Sequence, residues 1–272
     1  MLVPVRVATW NVNSIRSRLD RLLAVLDRHD VDVAAIQETK CRDDQFPELP
    51  FLAAGYEVAH YGLSQWNGVA IVSRVGLDDV SIGFPGQPEW GDPPAAEARA
   101  IGATVAASSG EPLRVWSLYA PNGRHLDDPH MVYKLDWLER LRDAGAGWLA
   151  ADPQAQILLC GDWNIAPFDE DVWSMEFYAN KTHVSAAERA AFHAVVDAGF
   201  VDVVRPYTPG PGVYTYWDYT RLRFPRAQGM RIDFALASPA AAARVAGAMI
   251  DRQERKGAGA SDHAPVIVDL AD

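Results

Sequence analysis

Seven polar side chains stand at, or just beyond, the ends of short apolar stretches: Asn11, Glu38, Asp162, Asn164, Asp233, Asp262 and His263. One Asn or Asp in such a place ordinarily makes a turn or caps a helix, and singly each is read that way. Their combination suggests different chemistry. Hard divalent cations such as Mg²⁺ take carboxylate and amide oxygens, with water and substrate phosphate completing the octahedron. Glu38, Asn11 and one carboxylate from the second half of the chain supply such a set.

Ser261-Asp262-His263-Ala264-Pro265 is the sharpest local signal. Neighbouring side chains on an extended segment point to opposite sides, so Asp262 faces a metal while His263 faces a reacting phosphate. An imidazole in that role needs a partner to fix its tautomer, and the carboxylate of Asp233 suits it. A plain turn before Val266-Ile267-Val268 explains the Ser and Pro equally well. In Gly161-Asp162-Trp163-Asn164, the Asp is placed to move a proton and the Asn amide to bond a phosphate oxygen. Unpaired polar groups are costly to bury at a strand end without a role. Zinc spacing is absent, as are a Gly-x-Ser-x-Gly elbow and a phosphate-binding Gly-rich loop ahead of a helix.

Tyr214-Thr215-Tyr216-Trp217-Asp218-Tyr219 is dense in aromatics, about half of which fit a core strand. The loop that follows, from Thr220 to Arg231, holds Arg221, Arg223, Arg226 and Arg231 and no acid. Basic side chains interleaved with aromatic rings suit a nucleic-acid backbone beside an unstacked base or sugar. Arg221, Arg223 and Arg226 are therefore expected on phosphates, and Trp217 against a flipped sugar or a neighbouring base.

The elements that must position these groups form a repeating scheme. Val5 to Thr9 alternates at strand period, Ser14 is placed to cap a helix carrying Ile15, Leu19, Leu22, Leu23 and Leu26, and Val31 to Ile36 returns to strand. In the middle, Leu113 to Leu118 is a strand, a helix carries Tyr133, Leu135, Leu138 and Leu141, and Ile157 to Cys160 is a buried strand. Each half leaves a carboxylate just beyond a strand, which suggests a duplicated architecture with a site between two sheets. Gly68 to Ser73 and Ile232 to Leu236 read as further strands, and Phe84 to Pro94 as a surface loop. No linker or low-complexity tract divides the chain, so a single domain over residues 1–272 is expected.

Composition bounds the partners. With 49% hydrophobic and 22% charged residues the chain is an ordinary globular one, not a disordered one. No apolar run reaches membrane-spanning length, the first residues do not read as a signal peptide, and Cys41 and Cys160 are too few for a disulfide scaffold, so a cytoplasmic protein is expected. The net charge of −11 speaks against nucleic acid unless basic groups are locally concentrated. The loop before Arg231 is such a concentration, and Arg16, Arg18, Lys40, Arg42 and Arg124 lie near the candidate segments.

The chain resembles the exonuclease III family of apurinic/apyrimidinic endonucleases, within the endonuclease/exonuclease/phosphatase superfamily. Segments carrying the resemblance are Thr9-Trp10-Asn11-Val12-Asn13-Ser14, Gln37-Glu38-Thr39-Lys40, Tyr119-Ala120-Pro121-Asn122-Gly123, Gly161-Asp162-Trp163-Asn164, Tyr216-Trp217-Asp218-Tyr219, Arg231-Ile232-Asp233 and Ser261-Asp262-His263. Trp-Asn and Ser-Asp-His are shared across the superfamily; the Tyr119 and Tyr216 segments narrow the match. The resemblance implies a four-layer α/β sandwich, two mixed β-sheets packed face to face with helices outside. It implies Glu38 as the main metal ligand, with Asn11 and Asp262 close to the metal. Asp162 would orient or deprotonate the attacking water, Asn164 and His263 hold the scissile phosphate, and Asp233 pair with His263. Tyr119 would touch the phosphate or leaving group, and Tyr216, Trp217, Met230 and Ile232 line a pocket for a base-free deoxyribose. Asn13 replaces an Asp of some relatives, and Met230 a Trp. The implied protein is a monomeric nuclease dependent on Mg²⁺ (or Mn²⁺), acting on double-stranded DNA at abasic sites and at 3′ ends. A superfamily phosphodiesterase acting on inositol phosphates or sphingomyelin, or a catalytically silent DNA-binding relative, are the rivals. The basic aromatic loop weighs against the first, and the presence of Glu38, Asp162, Asp233 and His263 against the second.

Overall fold

A computed structural model describes residues 5–106 and 112–271. The first strand, β1 (Val5–Asn11), leads through helix α1 (Ile15–Arg28) to β2 (Val33–Gln37), which pairs parallel to it. The same unit recurs as β7 (Leu113–Tyr119), α2 (Pro129–Ala151) and β8 (Ile157–Asp162), again with a parallel pair. Both predicted strand-helix-strand units are present, with strands one or two residues longer at their polar ends than the periodicity suggested. Ser14 differs from expectation: its side chain makes no cap hydrogen bond, and its φ of 94° belongs to the turn that bonds its amide to Glu38 O. Residues 1–4, where the leader reading was made, lie outside the described residues.

The remaining strands are β3 (Glu57–Tyr61), β4 (Val69–Ser73), β5 (Asp78–Ile82), β6 (Ala100–Val105), β9 (Val201–Asp202), β10 (Asp233–Ala237), β11 (Val245–Ile250) and β12 (Val266–Leu270). They assemble into two six-stranded mixed sheets, ordered β11-β12-β1-β2-β4-β3 and β5-β6-β7-β8-β10-β9. Strands buried on both faces lose the alternating pattern and read as continuous apolar runs, as β2, β4 and β8 do. Between the sheets, Val7, Val33, Ile71, Ile101, Val115, Leu158 and Val268 form one core. The outer face of the first sheet packs Leu22, Val25 and Leu26 of α1; that of the second packs Trp137, Leu138 and Leu141 of α2 with Phe192 of helix α3 (Ala186–Asp197). The result is the expected helix–sheet–sheet–helix order.

Parallel pairing sends β1, β2, β7 and β8 toward the same edge of their sheets. Asn11, Gln37, Tyr119 and Asp162 end those strands, with Glu38 immediately beyond. Asp233 opens β10 directly opposite Asp162, because these two strands are antiparallel. On the other side of β8, Gly161 lets that strand lie close against β7, since a Cβ there would lie 1.9 Å from Leu118 O.

Candidate active site

Glu38, Asp162 and His263 meet at this edge, with potential ligand atoms all within 4.8 Å of one another. Asn11 ties the two carboxylates together: its Nδ2 donates to Glu38 at 2.8 Å and to Asp162 at 2.9 Å. Its Oδ1 accepts from the Asn13 amide at 3.0 Å, so the orientation is set on both sides. Asn11 was expected to offer oxygen to a cation; here it acts as a donor that organises the carboxylates. Asp262, expected on the metal, is half-buried outside this trio, its Oδ1 accepting from Asn13 Nδ2 at 3.0 Å.

His263 is buried with Nδ1 2.8 Å from Asp233 Oδ2 and Nε2 3.8 Å from Asp162 Oδ2. Burial alone would depress the imidazolium, but the facing carboxylates of Asp233 and Asp162 outweigh it and push His263 up to about 10. Asp162 moves the other way for a carboxylate. Burial, reinforced by Asp233 and Glu38 against the pull of His263, raises it to about 7. Glu38 is lowered: burial opposes ionisation, yet Lys40, 2.6 Å away, and Asn11 prevail. Burial beside Glu38 holds the Tyr119 phenol protonated, and Arg99 lies 4.8 Å over its ring.

The donor chemistry fits a hard cation. A half-buried carboxylate, Glu38, and a buried one, Asp162, converge between Lys40 Nζ and the His263 ring, and burial leaves Asp162 reluctant to ionise without further positive charge. The residues that would hold it are Glu38 and Asp162.

Asn164 departs from its expected pose. Its Nδ2 donates to Ala120 O at 3.0 Å and approaches Asp162 at 3.4 Å, while its Oδ1 faces Asn122 Nδ2 at 3.3 Å and His183 Nε2 at 3.1 Å. The outward edge is thus Asn122 and His183. Asn122 lies inside the Tyr119 segment, where the sequence does not single it out. His183 carried no sequence signal: it lies in a loop, at φ 79°, a conformation costly for a side chain with a Cβ. Beneath them a fully buried Lys134–Glu188 pair, 2.5 Å apart, fixes the loops. Lys134 Nζ donates to Asn164 O at 2.7 Å and Asn122 O at 3.2 Å, and Glu188 accepts the His183 amide at 2.8 Å.

The basic aromatic segment is only partly as expected. Tyr216 borders the site, its ring 4.9 Å from that of His263, and joins Met230 and Ile232 in one apolar cluster with Ala166, Val172 and Val184. Met230 and Ile232 are buried, so this pocket is filled rather than open. Trp217 is 0% exposed, packed with Tyr214, Ala264 and Phe224, which corrects the expectation that it touches a sugar or base. Tyr216, bridged to His263, faces the site, and alternation along this extended segment sends the neighbouring Trp217 ring to the opposite side. Arg223 is also corrected: it is buried, stacked 4.4 Å over Phe177 and bonded to Gln228, not presented to phosphate. Arg221 and Arg226 are exposed, as are Arg16 and Arg124.

The chain belongs to the Endonuclease/Exonuclease/phosphatase family, whose pattern matches residues 8–263. Within it the chain is a nuclease of the exonuclease III type. It is similar to the exodeoxyribonuclease of Bacillus subtilis, 28% identical over 96% of this chain and 97% of that one. Among solved structures it is similar to the 3′-5′ exonuclease of Neisseria meningitidis, at 35% identity and TM-score 0.90, covering 98% of this chain and 100% of that one. An AP endonuclease from Archaeoglobus fulgidus is 34% identical with TM-score 0.88, covering 98% and 99%. A further structure in this set is a 3′ phosphatase from Neisseria bound to product DNA hairpin, 34% identical over 98% of this chain and 100% of that one, with TM-score 0.90. Among the described residues no helix is long and apolar enough to cross a membrane.

Proposed function

We propose that this nuclease cuts the phosphodiester 5′ to abasic sites in double-stranded DNA and trims nucleotides and blocking groups from 3′ ends. The observation that carries the reading is the convergence of Glu38, Asp162 and His263, with Asp233 behind the imidazole. Asp162, raised toward neutrality, accepts the proton of the attacking water. His263, kept cationic by Asp233, stabilises charge growing on the non-bridging oxygens. Asn122 and His183 supply polar groups at the same edge, Tyr119 keeps its phenolic proton for the phosphate or the leaving oxygen, and Asn164 fixes Asp162 through its backbone amide at 2.9 Å. Mg²⁺ or Mn²⁺, when bound by Glu38 and Asp162, supplies charge neutralisation at the phosphate and a more acidic water. The enzyme acts as a monomeric single domain in the cytoplasm, its exposed Arg16, Arg124, Arg221 and Arg226 meeting the DNA backbone.

A second reading, 3′-end processing without internal cleavage, is favoured by the filled cluster at Met230 and Ile232. A base-free sugar at a frayed 3′ end need not enter a preformed pocket. Incubation with a duplex bearing one internal abasic analogue, with Mg²⁺ or with EDTA, separates the readings by product length and end group. Internal incision requiring metal supports the first. Release from 3′ ends alone supports the second, and activity undiminished by EDTA overturns the metal.

A further inference from the structure

Glu38 and Lys40 both have positive φ, 55° and 52°, although neither is glycine. Such backbone persists only where its surroundings over-determine it. Thr39 lies between them, 0% exposed, with its amide bonded to Gly68 O at 3.1 Å and its carbonyl accepting from Ile15 N at 3.1 Å. Its hydroxyl is 2.8 Å from His60 Nε2, and His60 Nδ1 is in turn 2.9 Å from Asp43 Oδ1. Thr, His and Asp in a row resemble a nucleophile triad. Burial of Thr39 rules that out, because no substrate atom reaches its oxygen.

The imidazole is held in several ways. Phe46 packs against it, the ring centroids 4.3 Å apart and the planes tilted by 31°, and Asp43 is itself anchored by the Gly62 amide at 2.8 Å. Burial holds His60 down at about 4, so it is neutral at working pH. Its Nε2 pairs with the Thr39 hydroxyl, while Nδ1 lies 2.9 Å from Asp43 Oδ1 without hydrogen-bond geometry, so Asp43 acts on the ring through its charge and proximity. Gly68 leaves the hydroxyl its space, since a Cβ would lie 2.1 Å from Thr39 Oγ1.

We propose that Asp43, His60 and Thr39 form a positioning relay that locks the strained Glu38–Lys40 turn and so holds the Glu38 carboxylate toward a divalent cation. This rests on the metal reading above. None of the three touches substrate; they act through Glu38. Partners behind a metal ligand typically govern about 10–100-fold in metal affinity.

The test is calorimetric Mn²⁺ binding to the full chain, with thermal midpoints, for His60→Ala, His60→Gln, Thr39→Val, Thr39→Ser, Asp43→Asn and, as reference, Glu38→Gln. Affinity about tenfold weaker in His60→Ala and Thr39→Val, recovered in His60→Gln and Thr39→Ser, with midpoints held, supports the relay. Saturating metal then restores kcat, while the metal concentration for half-maximal rate rises. Wild-type affinity in both His60→Ala and Thr39→Val overturns it. Weakening that follows a falling midpoint in every variant, the exposed Asp43→Asn included, also overturns it, as general loosening. Wild-type affinity in Glu38→Gln sinks the underlying metal reading instead.

Discussion

Replacing Asp233 by Asn keeps the shape of the pair with His263 and removes only its charge, because the amide oxygen can still accept from Nδ1. The rise of His263 from 6.5 to about 10 corresponds to roughly 5 kcal/mol favouring the imidazolium, at about 1.4 kcal/mol per unit. Asp233 is its nearest carboxylate, at 2.8 Å against 3.8 Å for Asp162. Losing the nearer charge lets burial reassert itself, and a fall of about two units is expected. Imidazolium present below its pKa is lost as pH rises through it, so the alkaline limb of kcat/KM moves from near 10 to about 8. At pH 9 the variant then keeps about a tenth of its protonated form while the wild type keeps most of it, giving about a tenfold loss beyond any pH-independent one. Steady-state cleavage of an abasic-analogue duplex from pH 6 to 10.5 reads this directly. An alkaline limb unmoved in Asp233→Asn would refute the assignment of that charge to the pair.

Four further outcomes are expected. Glu38→Gln lowers activity sharply at low Mg²⁺ and is partly rescued by excess; full activity at low metal rules out Glu38 as the principal ligand. His263→Ala and Asp233→Ala are non-additive in kcat, since they act as one unit, and a double variant that loses the product of the single losses disproves the pairing. Activity rises with pH through about 7 as Asp162 deprotonates, and this acid limb shifts to lower pH as metal concentration increases; a limb indifferent to metal detaches Asp162 from the cation. Neutralising Arg221 and Arg226 flattens the log–log salt dependence of DNA binding by about one unit per lost contact, whereas Trp217→Ala costs about 3–5 kcal/mol in a thermal or denaturant melt without altering that slope.

The strands and their polar ends were legible because period-two and continuous apolar runs stop abruptly at Asn11, Glu38, Tyr119 and Asp162. Which of those groups face one another depends on sheet pairing that no local pattern encodes. The register of β10 on β8 sets Asp233 against Asp162, and it is written in contacts between residues more than seventy positions apart. Trp217 shows the opposite failure. An aromatic in a basic loop has the same composition signature whether it faces DNA or the core, and the long-range bridge of Tyr216 to His263 decides which face Trp217 takes. His183 and the Lys134–Glu188 pair were invisible because their importance comes from a loop and two helices meeting.

The order of site residues along the chain has a bearing on how the protein is made. Glu38 and Asn11 come early, yet the sheet edge beside β1 is filled by β12, and His263 arrives just ahead of that strand. A chain emerging from the ribosome in this order carries its carboxylates long before it carries its imidazole or the strand that seats it. It remains incapable of the reaction until nearly all of both sheets can close. A fragment that stops short of β12 therefore lacks both His263 and the strand that seats β1, and holds only part of the site.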